Sequence, residues 1–165
     1  MFKKVLRLTF CMMIISCSVI KPIPKSQDEL VLNGKITRTD LVNKFPWFDD
    51  NYIKYHPNDS VINLIKQFPY ELKVLVFMGT WCDDSKNEVP KFFKIADTLH
   101  FHENQVKLIA VDRNKHCDSV DISSYKIGLV PTFIFNKNEK EIGRIIEAPK
   151  ETIEKDLLKM LKDAN

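Results

Sequence analysis

The order of apolar and polar positions predicts a buried strand followed directly by an amphipathic helix. Residues 74–78 form an unbroken apolar run rich in β-branched and aromatic side chains, which is typical of a strand buried on both faces. Gly79 ends the run, and the polar residues 83–85 suit the cap or first turn of a helix. The predicted apolar face of that helix comprises Phe92, Phe93, Ile95, Ala96 and Leu99.

Further elements are predicted on both sides of this unit. A second apolar strand at 106–112 pairs in parallel with the first, so the carboxyl ends of both strands meet at one sheet edge. The loop 113–118 therefore lies on the same side as Cys82. A hairpin at 131–147 and an amphipathic helix at 153–161 follow. Shorter helices are predicted at 39–45 before Pro46, after a cap at Asp59 or Ser60, and at 120–127 before Gly128.

Cys82 occupies the junction between the first buried strand and its helix. Backbone N–H groups and the positive end of the helix dipole point at such a position, and both stabilise a thiolate over a thiol. Asp83 and Asp84 oppose this effect by like-charge repulsion. We therefore expect Cys82 to be a nucleophile, and the alternative is a buried structural cysteine.

Two separated motifs occur within residues 72–161: Trp81-Cys82-x-x-Ser85 and, further along, Val130-Pro131-Thr132. On these motifs and their order, this part of the chain resembles the thioredoxin superfamily. The sequence at residues 79–82 is similar to that of the membrane-tethered, extracytoplasmic branch of that superfamily. The resemblance implies an α/β thioredoxin-like fold, in which helices flank a central mixed sheet, preceded here by an N-terminal helical extension.

The resemblance also implies roles for the second motif. Pro131 would form a cis peptide bond beside the cysteine and shield its sulfur, while the Val130 backbone would pair with an extended substrate. Trp81 and Thr132 would join Val130 in lining the substrate groove. The resemblance implies neither a cofactor nor a metal ion.

Ser85 stands where the superfamily usually carries a second cysteine. The short disulfide of a Cys-x-x-Cys site therefore cannot form, although Cys82 can still hold a substrate as a mixed disulfide. The Ser85 hydroxyl either donates a hydrogen bond to the Cys82 thiolate or bonds only to backbone groups. Val76 occupies the position of the buried acid that thioredoxins usually have six residues before the nucleophile.

Cys117 is the candidate for a resolving thiol within the chain. It lies in the loop on the same sheet edge as Cys82, but a disulfide needs Cα atoms within about 7 Å. One alternative is a free thiol. Another is a thiolate metal site that combines both cysteines with His116 and Asp118.

The first residues of the chain predict export. Residues 1–16 combine a basic start with an apolar stretch too short for a spanning helix of about 20 residues. The sequence before Cys17 resembles a bacterial lipobox, which predicts cleavage there and lipid on Cys17; the alternative is a plain signal peptide cut elsewhere. The expected organisation is a signal peptide at 1–16, a tether at 17–34, an N-terminal extension at 35–70 and a thioredoxin-like domain at 71–165.

Removal of the signal peptide would change the charge balance of the protein. The whole chain has 25 basic and 22 acidic residues, a net charge of +3. Three of the basic residues and none of the acidic ones fall within residues 1–16, so residues 17–165 carry 22 of each. This balance gives no support for a nucleic-acid partner, which requires a concentrated basic surface.

These features predict a cell-envelope thiol–disulfide oxidoreductase or isomerase that acts through Cys82 alone. Its expected partners are protein thiols or disulfides in the envelope, an external thiol reductant and, through a lipid anchor, a bacterial envelope membrane. The alternative is a redox-inactive or thiol-capturing module that binds peptides or proteins on the same scaffold.

Overall fold

The computed structural model describes residues 30–68 and 71–164 of the 165-residue chain. The predicted signal peptide, Cys17 and the tether as far as residue 29 lie outside the described residues. No helix within the described ranges has both the length and the apolar character needed to cross a membrane. The elements are β1 (Gly34–Ile36), α1 (Arg38–Lys44), α2 (Pro46–Lys54), α3 (Asp59–Ile65), β2 (Leu72–Met78), α4 (Asp83–Thr98), β3 (Val106–Ala110), β4 (Thr132–Lys137), β5 (Lys140–Ile146) and α5 (Ile153–Asp163).

The strands form one mixed sheet in the order β1-β3-β2-β4-β5. The central strand β2 pairs in parallel with β3 and antiparallel with β4. Strand β5 returns beside β4 as the predicted hairpin, and β1 pairs antiparallel with the outer side of β3. The predicted mixed sheet flanked by helices is confirmed, with the carboxyl ends of β2 and β3 at one edge.

The sheet is buried on both faces, as the apolar run in β2 predicts. Val74 and Val76 face the larger core, which α4 and α5 cover. Phe77, the residue after Val76, faces the opposite side, where its ring centroid lies 5.1 Å from that of Tyr125. Because successive strand residues point to opposite faces, a strand with two packed faces requires a continuous apolar run.

The N-terminal helices pack onto the same core. Helix α1 begins with a capping box, in which the Thr37 backbone N–H donates to the Asp40 carboxylate and lowers the pKa of Asp40 to about 2. Arg38 then pairs with Asp97 of α4 at 2.8 Å, and its guanidinium carbon lies 4.9 Å from the centre of the Tyr52 ring. These contacts dock α1 and α2 against α4.

Helix α1 ends before Pro46, as predicted, but helix α2, the cap of α3 and strand β1 were not predicted. Pro46 opens α2 as its first residue; a proline costs no helical hydrogen bond at that position, because the first N–H groups of a helix have no internal partner. Asn58, rather than Asp59 or Ser60, caps α3, since its side chain accepts the Val61 N–H at 3.1 Å. The edge strand β1 was not predicted.

The prediction of a helix at 120–127 was wrong. The structure has only a single 3₁₀ turn there, at Ser123–Tyr125. The Asp121 carboxylate accepts the Ser123 N–H at 2.9 Å, a local side-chain bond that competes with helix formation. Lys126 then adopts a left-handed conformation with φ of 53°, which ends the turn.

Candidate active site

Cys82 is the N-cap residue of α4, one position earlier than the cap predicted from the polar residues that follow it. Its N–H donates to the Gly79 carbonyl at 3.0 Å, which closes a turn over residues 79–82. Its own carbonyl accepts the Lys86 N–H at 3.0 Å, which begins the helix. We call residues 79–82 the nucleophile turn. The Cys82 side chain is half-buried, so the sulfur is not sealed within the core.

The two sequence motifs meet at the sulfur. The Cys82 thiol donates to the Val130 carbonyl, with 3.1 Å between Sγ and O. The bond between Val130 and Pro131 is cis, and both residues are buried. The Thr132 hydroxyl donates to the Leu129 carbonyl at 2.8 Å. The structure therefore brings together residues that lie 48 positions apart in the chain.

Ser85 is fully buried in the first turn of α4. Its hydroxyl oxygen accepts the Gly79 N–H at 3.2 Å. The buried side chain therefore stabilises the start of the nucleophile turn. This contact matches the backbone-bonding alternative for Ser85. A hydrogen bond from Ser85 to the Cys82 thiolate remains a prediction.

Trp81 ties the nucleophile turn to the end of β3. Its indole Nε1–H donates to the Val111 carbonyl at 2.9 Å. The guanidinium carbon of Arg113 and the ammonium nitrogen of Lys115 lie 5.2 and 5.5 Å from the ring centre, which is cation–π distance. The predicted placement of this loop beside Cys82 is confirmed. The stacking of its two cations on Trp81 was missed, because sequence order gives no distance between a loop side chain and a ring.

Carboxylates and an ammonium group surround the start of α4. Asp83 is almost fully exposed, and its carboxylate lies 3.2 Å from the Lys86 ammonium. Asp84 is also exposed. Water screens exposed charges of this kind, so each acts only weakly on the sulfur.

Cys117 is a buried free thiol in the smaller core cluster, against which Cys82 also packs. The two thiols are not joined to each other, and the role of Cys117 as a resolving thiol stays a prediction. His116 and Asp118 are exposed, with 3.3 Å between Nδ1 and the carboxylate. Across residues 30–68 and 71–164, no group of three or more His, Cys, Asp or Glu side chains is arranged to hold a metal ion.

Two further polar residues at this edge were missed by the sequence reasoning. Thr80, within the nucleophile turn, is fully buried, and its hydroxyl bonds to the segment at residues 30–33. Asn33 in that segment bonds to the loop that carries Cys117. No pattern in the sequence signals these contacts, because they depend on where residues 30–33 cross the sheet edge.

Comparison with known proteins identifies the family. The thioredoxin family model matches residues 56–161. Thioredoxin-1 of Caenorhabditis elegans is 34% identical over 107 residues, which cover 65% of this chain and 84% of that protein. The TPR repeat-containing thioredoxin TDX of Arabidopsis thaliana is 31% identical over 86 residues, which cover 52% of this chain but 21% of that protein. The chain belongs to the thioredoxin family, and its general kind of function is thiol–disulfide oxidoreduction.

A solved structure agrees with the fold. A protein of unknown function from Pseudomonas aeruginosa superposes with a TM-score of 0.59 and 11% identity, over 79% of this chain and 94% of that one. At that identity the similarity concerns the fold alone.

Replacing Gly79 by alanine should disturb the site. A Cβ atom at Gly79 would lie 2.5 Å from the Trp81 ring, whereas one at Gly128 would meet nothing within 4 Å. We expect Gly79→Ala to lower the free energy of unfolding by about 1–3 kcal/mol and to change tryptophan fluorescence, because the ring must move. Gly128→Ala is the matched control. Equal stability and unchanged fluorescence in the two variants would contradict this packing.

Proposed function

We propose that this protein is a thiol–disulfide oxidoreductase or isomerase that acts through the single nucleophile Cys82. One observation carries the proposal: a half-buried free thiol sits at the N-cap of α4 and bonds to the carbonyl next to Pro131. The position favours the thiolate, since α4 directs its N–H groups and dipole there. Ser85 in the fourth position leaves the motif itself without a second thiol to displace the substrate.

The reaction is an exchange of sulfur bonds without a cofactor. The Cys82 thiolate attacks one sulfur of a substrate disulfide, and the other substrate sulfur leaves as a thiolate that takes up a proton. The product is a mixed disulfide on Cys82. A substrate thiolate that attacks this bond restores Cys82 and leaves a rearranged substrate disulfide. Two molecules of an external thiol instead give reduced substrate and an oxidised thiol pair.

The Val130 carbonyl is suited to orient this step. It accepts the Cys82 thiol in the reduced protein and lies beside the cis bond to Pro131. An extended substrate backbone could pair with the Val130 main chain, which would place its disulfide against Sγ. Trp81 precedes Cys82 in the nucleophile turn and Thr132 follows Pro131, so we assign both to the lining of the same substrate groove.

Turnover of a protein disulfide tests the proposal. With reduced glutathione as the external thiol, the full chain should accelerate reduction or rearrangement of a scrambled disulfide protein, and Cys82→Ala should abolish the acceleration. Cys117→Ala is the control for loss of a thiol. If this variant keeps the wild-type rate, the external thiol rather than Cys117 resolves the mixed disulfide on Cys82. Equal rates for the wild type and Cys82→Ala would overturn the proposal.

A second function, capture of a partner as a long-lived mixed disulfide, is favoured by Ser85 in place of a second cysteine and by Val76 in place of the usual buried acid. The lifetime of the Cys82 adduct on non-reducing gels separates the two. An adduct that glutathione resolves within the turnover time supports the enzyme, whereas one that persists supports capture. Ser85→Cys supplies the missing neighbouring thiol and should shorten the adduct lifetime in either case.

We further propose that the protein is exported and anchored to a bacterial envelope membrane by lipid on Cys17. The support is the basic and apolar composition of residues 1–16 and the lipobox-like sequence before Cys17. The partners would then be thiols and disulfides of envelope proteins and a small or protein thiol as reductant.

Detergent-phase partitioning of the expressed full chain tests this anchoring. We expect the wild type to enter the detergent phase and Cys17→Ala to stay in the aqueous phase, because the acyl chains are lost with the thiol. Recovery of both proteins in the aqueous phase would contradict lipid anchoring through Cys17.

A further inference from the structure

The segment at residues 30–33, which we call the N-terminal strap, crosses the sheet edge that carries Cys82. It precedes β1 and lies outside residues 56–161, the part that the thioredoxin family model matches. The strap contacts the nucleophile turn, which contains Cys82, and the loop at residues 112–118.

Thr80 makes the contact on the side of the nucleophile turn. Its Oγ1 accepts the Leu32 N–H at 3.1 Å and donates to the Leu30 carbonyl at 2.9 Å. The Thr80 side chain is fully buried, so loss of the strap contacts would leave a buried hydroxyl without these partners.

Asn33 makes the contact on the other side. Its Nδ2 donates to the His116 carbonyl at 3.2 Å, and its Oδ1 accepts the Asp118 N–H at 2.9 Å. The loop is already ordered by Asp112, whose carboxylate accepts the His116 N–H at 2.8 Å. The strap thus forms two hydrogen bonds with Thr80, through Leu30 and Leu32, and two with the loop, through Asn33.

Each residue of the nucleophile turn has its own attachment. The Ser85 hydroxyl accepts the Gly79 N–H, the Val111 carbonyl accepts the Trp81 indole N–H, and the Val130 carbonyl accepts the Cys82 thiol. These three partners lie within the part of the chain that the family model matches. The attachment of the Thr80 side chain is different, because both of its hydrogen bonds go to the strap.

We propose that Thr80 is a positioning residue for Cys82 and that the N-terminal strap is the element through which it acts. The inference rests on the proposed function, in which Cys82 is the nucleophile. The two hydrogen bonds between Thr80 and the strap hold the turn against the end of β2. This keeps Cys82 at the N-cap of α4. When the hydrogen bonds between Thr80 and the strap are lost, the turn becomes more mobile, and Cys82 spends less time where the α4 dipole favours its thiolate.

The test compares Thr80→Val with the wild-type full chain. Valine keeps the shape of threonine and removes the hydroxyl, and Thr80→Ser restores a hydroxyl as the conservative rescue. The matched control is Thr98→Val, which removes a hydroxyl that donates to the Lys94 carbonyl at 2.8 Å near the other end of α4. The readout is the rate of Cys82 alkylation by iodoacetamide as a function of pH, followed on the Cys82 peptide by mass spectrometry.

We expect Thr80→Val to slow alkylation at neutral pH by about threefold or more and to move the pH profile to higher pH. Thr80→Ser and Thr98→Val should follow the wild-type profile. If the Thr80→Val profile superposes on that of the wild type while only the melting temperature falls, Thr80 has a structural role and the inference is overturned.

Asn33→Ala tests the strap through an exposed residue, which keeps the inference falsifiable if Thr80→Val fails to fold. It should shift the profile in the same direction, and the double variant should shift it by less than the sum, since both changes release one strap. An unshifted profile in Asn33→Ala, or strict additivity, contradicts action through the strap. A wild-type Cys82 that does not alkylate faster than a free cysteine peptide would instead overturn the proposed function.

Discussion

The hydrogen bond between Cys82 and the Val130 carbonyl is the interaction on which the functional account depends. It joins the start of α4 to the loop that precedes β4, and so brings together two motifs that are distant in the chain. Both partners owe their positions to the sheet: β2 delivers the nucleophile turn to one edge, and β4, its antiparallel neighbour, begins at the same edge. The rigid sheet therefore sets the geometry of the sulfur.

Much of this arrangement could be predicted because it follows from strongly periodic elements. The apolar run in β2 and the helical spacing of Phe92, Phe93 and Ile95 predict the strand–helix unit. The parallel pairing of β2 with β3 follows from the crossover, and it places the loop with Arg113 beside Trp81. The residues nearest to the sulfur were thus within reach of sequence reasoning, aided by the family resemblance.

The parts that escaped prediction depend on tertiary contacts. Strand β1 has three residues, too few for a recognisable alternation, and it forms only because β3 offers a free edge. The role of Thr80 depends on the path of residues 30–33 across the site. The absent helix at 120–127 shows the converse, since a local bond from Ser123 to Asp121 outweighed weak helical spacing.

Native-state accessibility of the two described cysteines tests the central claim most directly. In the reduced, folded full chain, a brief pulse of an alkylating reagent should modify Cys82 and leave Cys117 protected until the protein is unfolded in urea, because only the first is half-exposed at a helix start. Peptide mass spectrometry reads both sites in one sample. Modification of Cys117 as fast as Cys82, or protection of Cys82 in the folded state, would contradict the account.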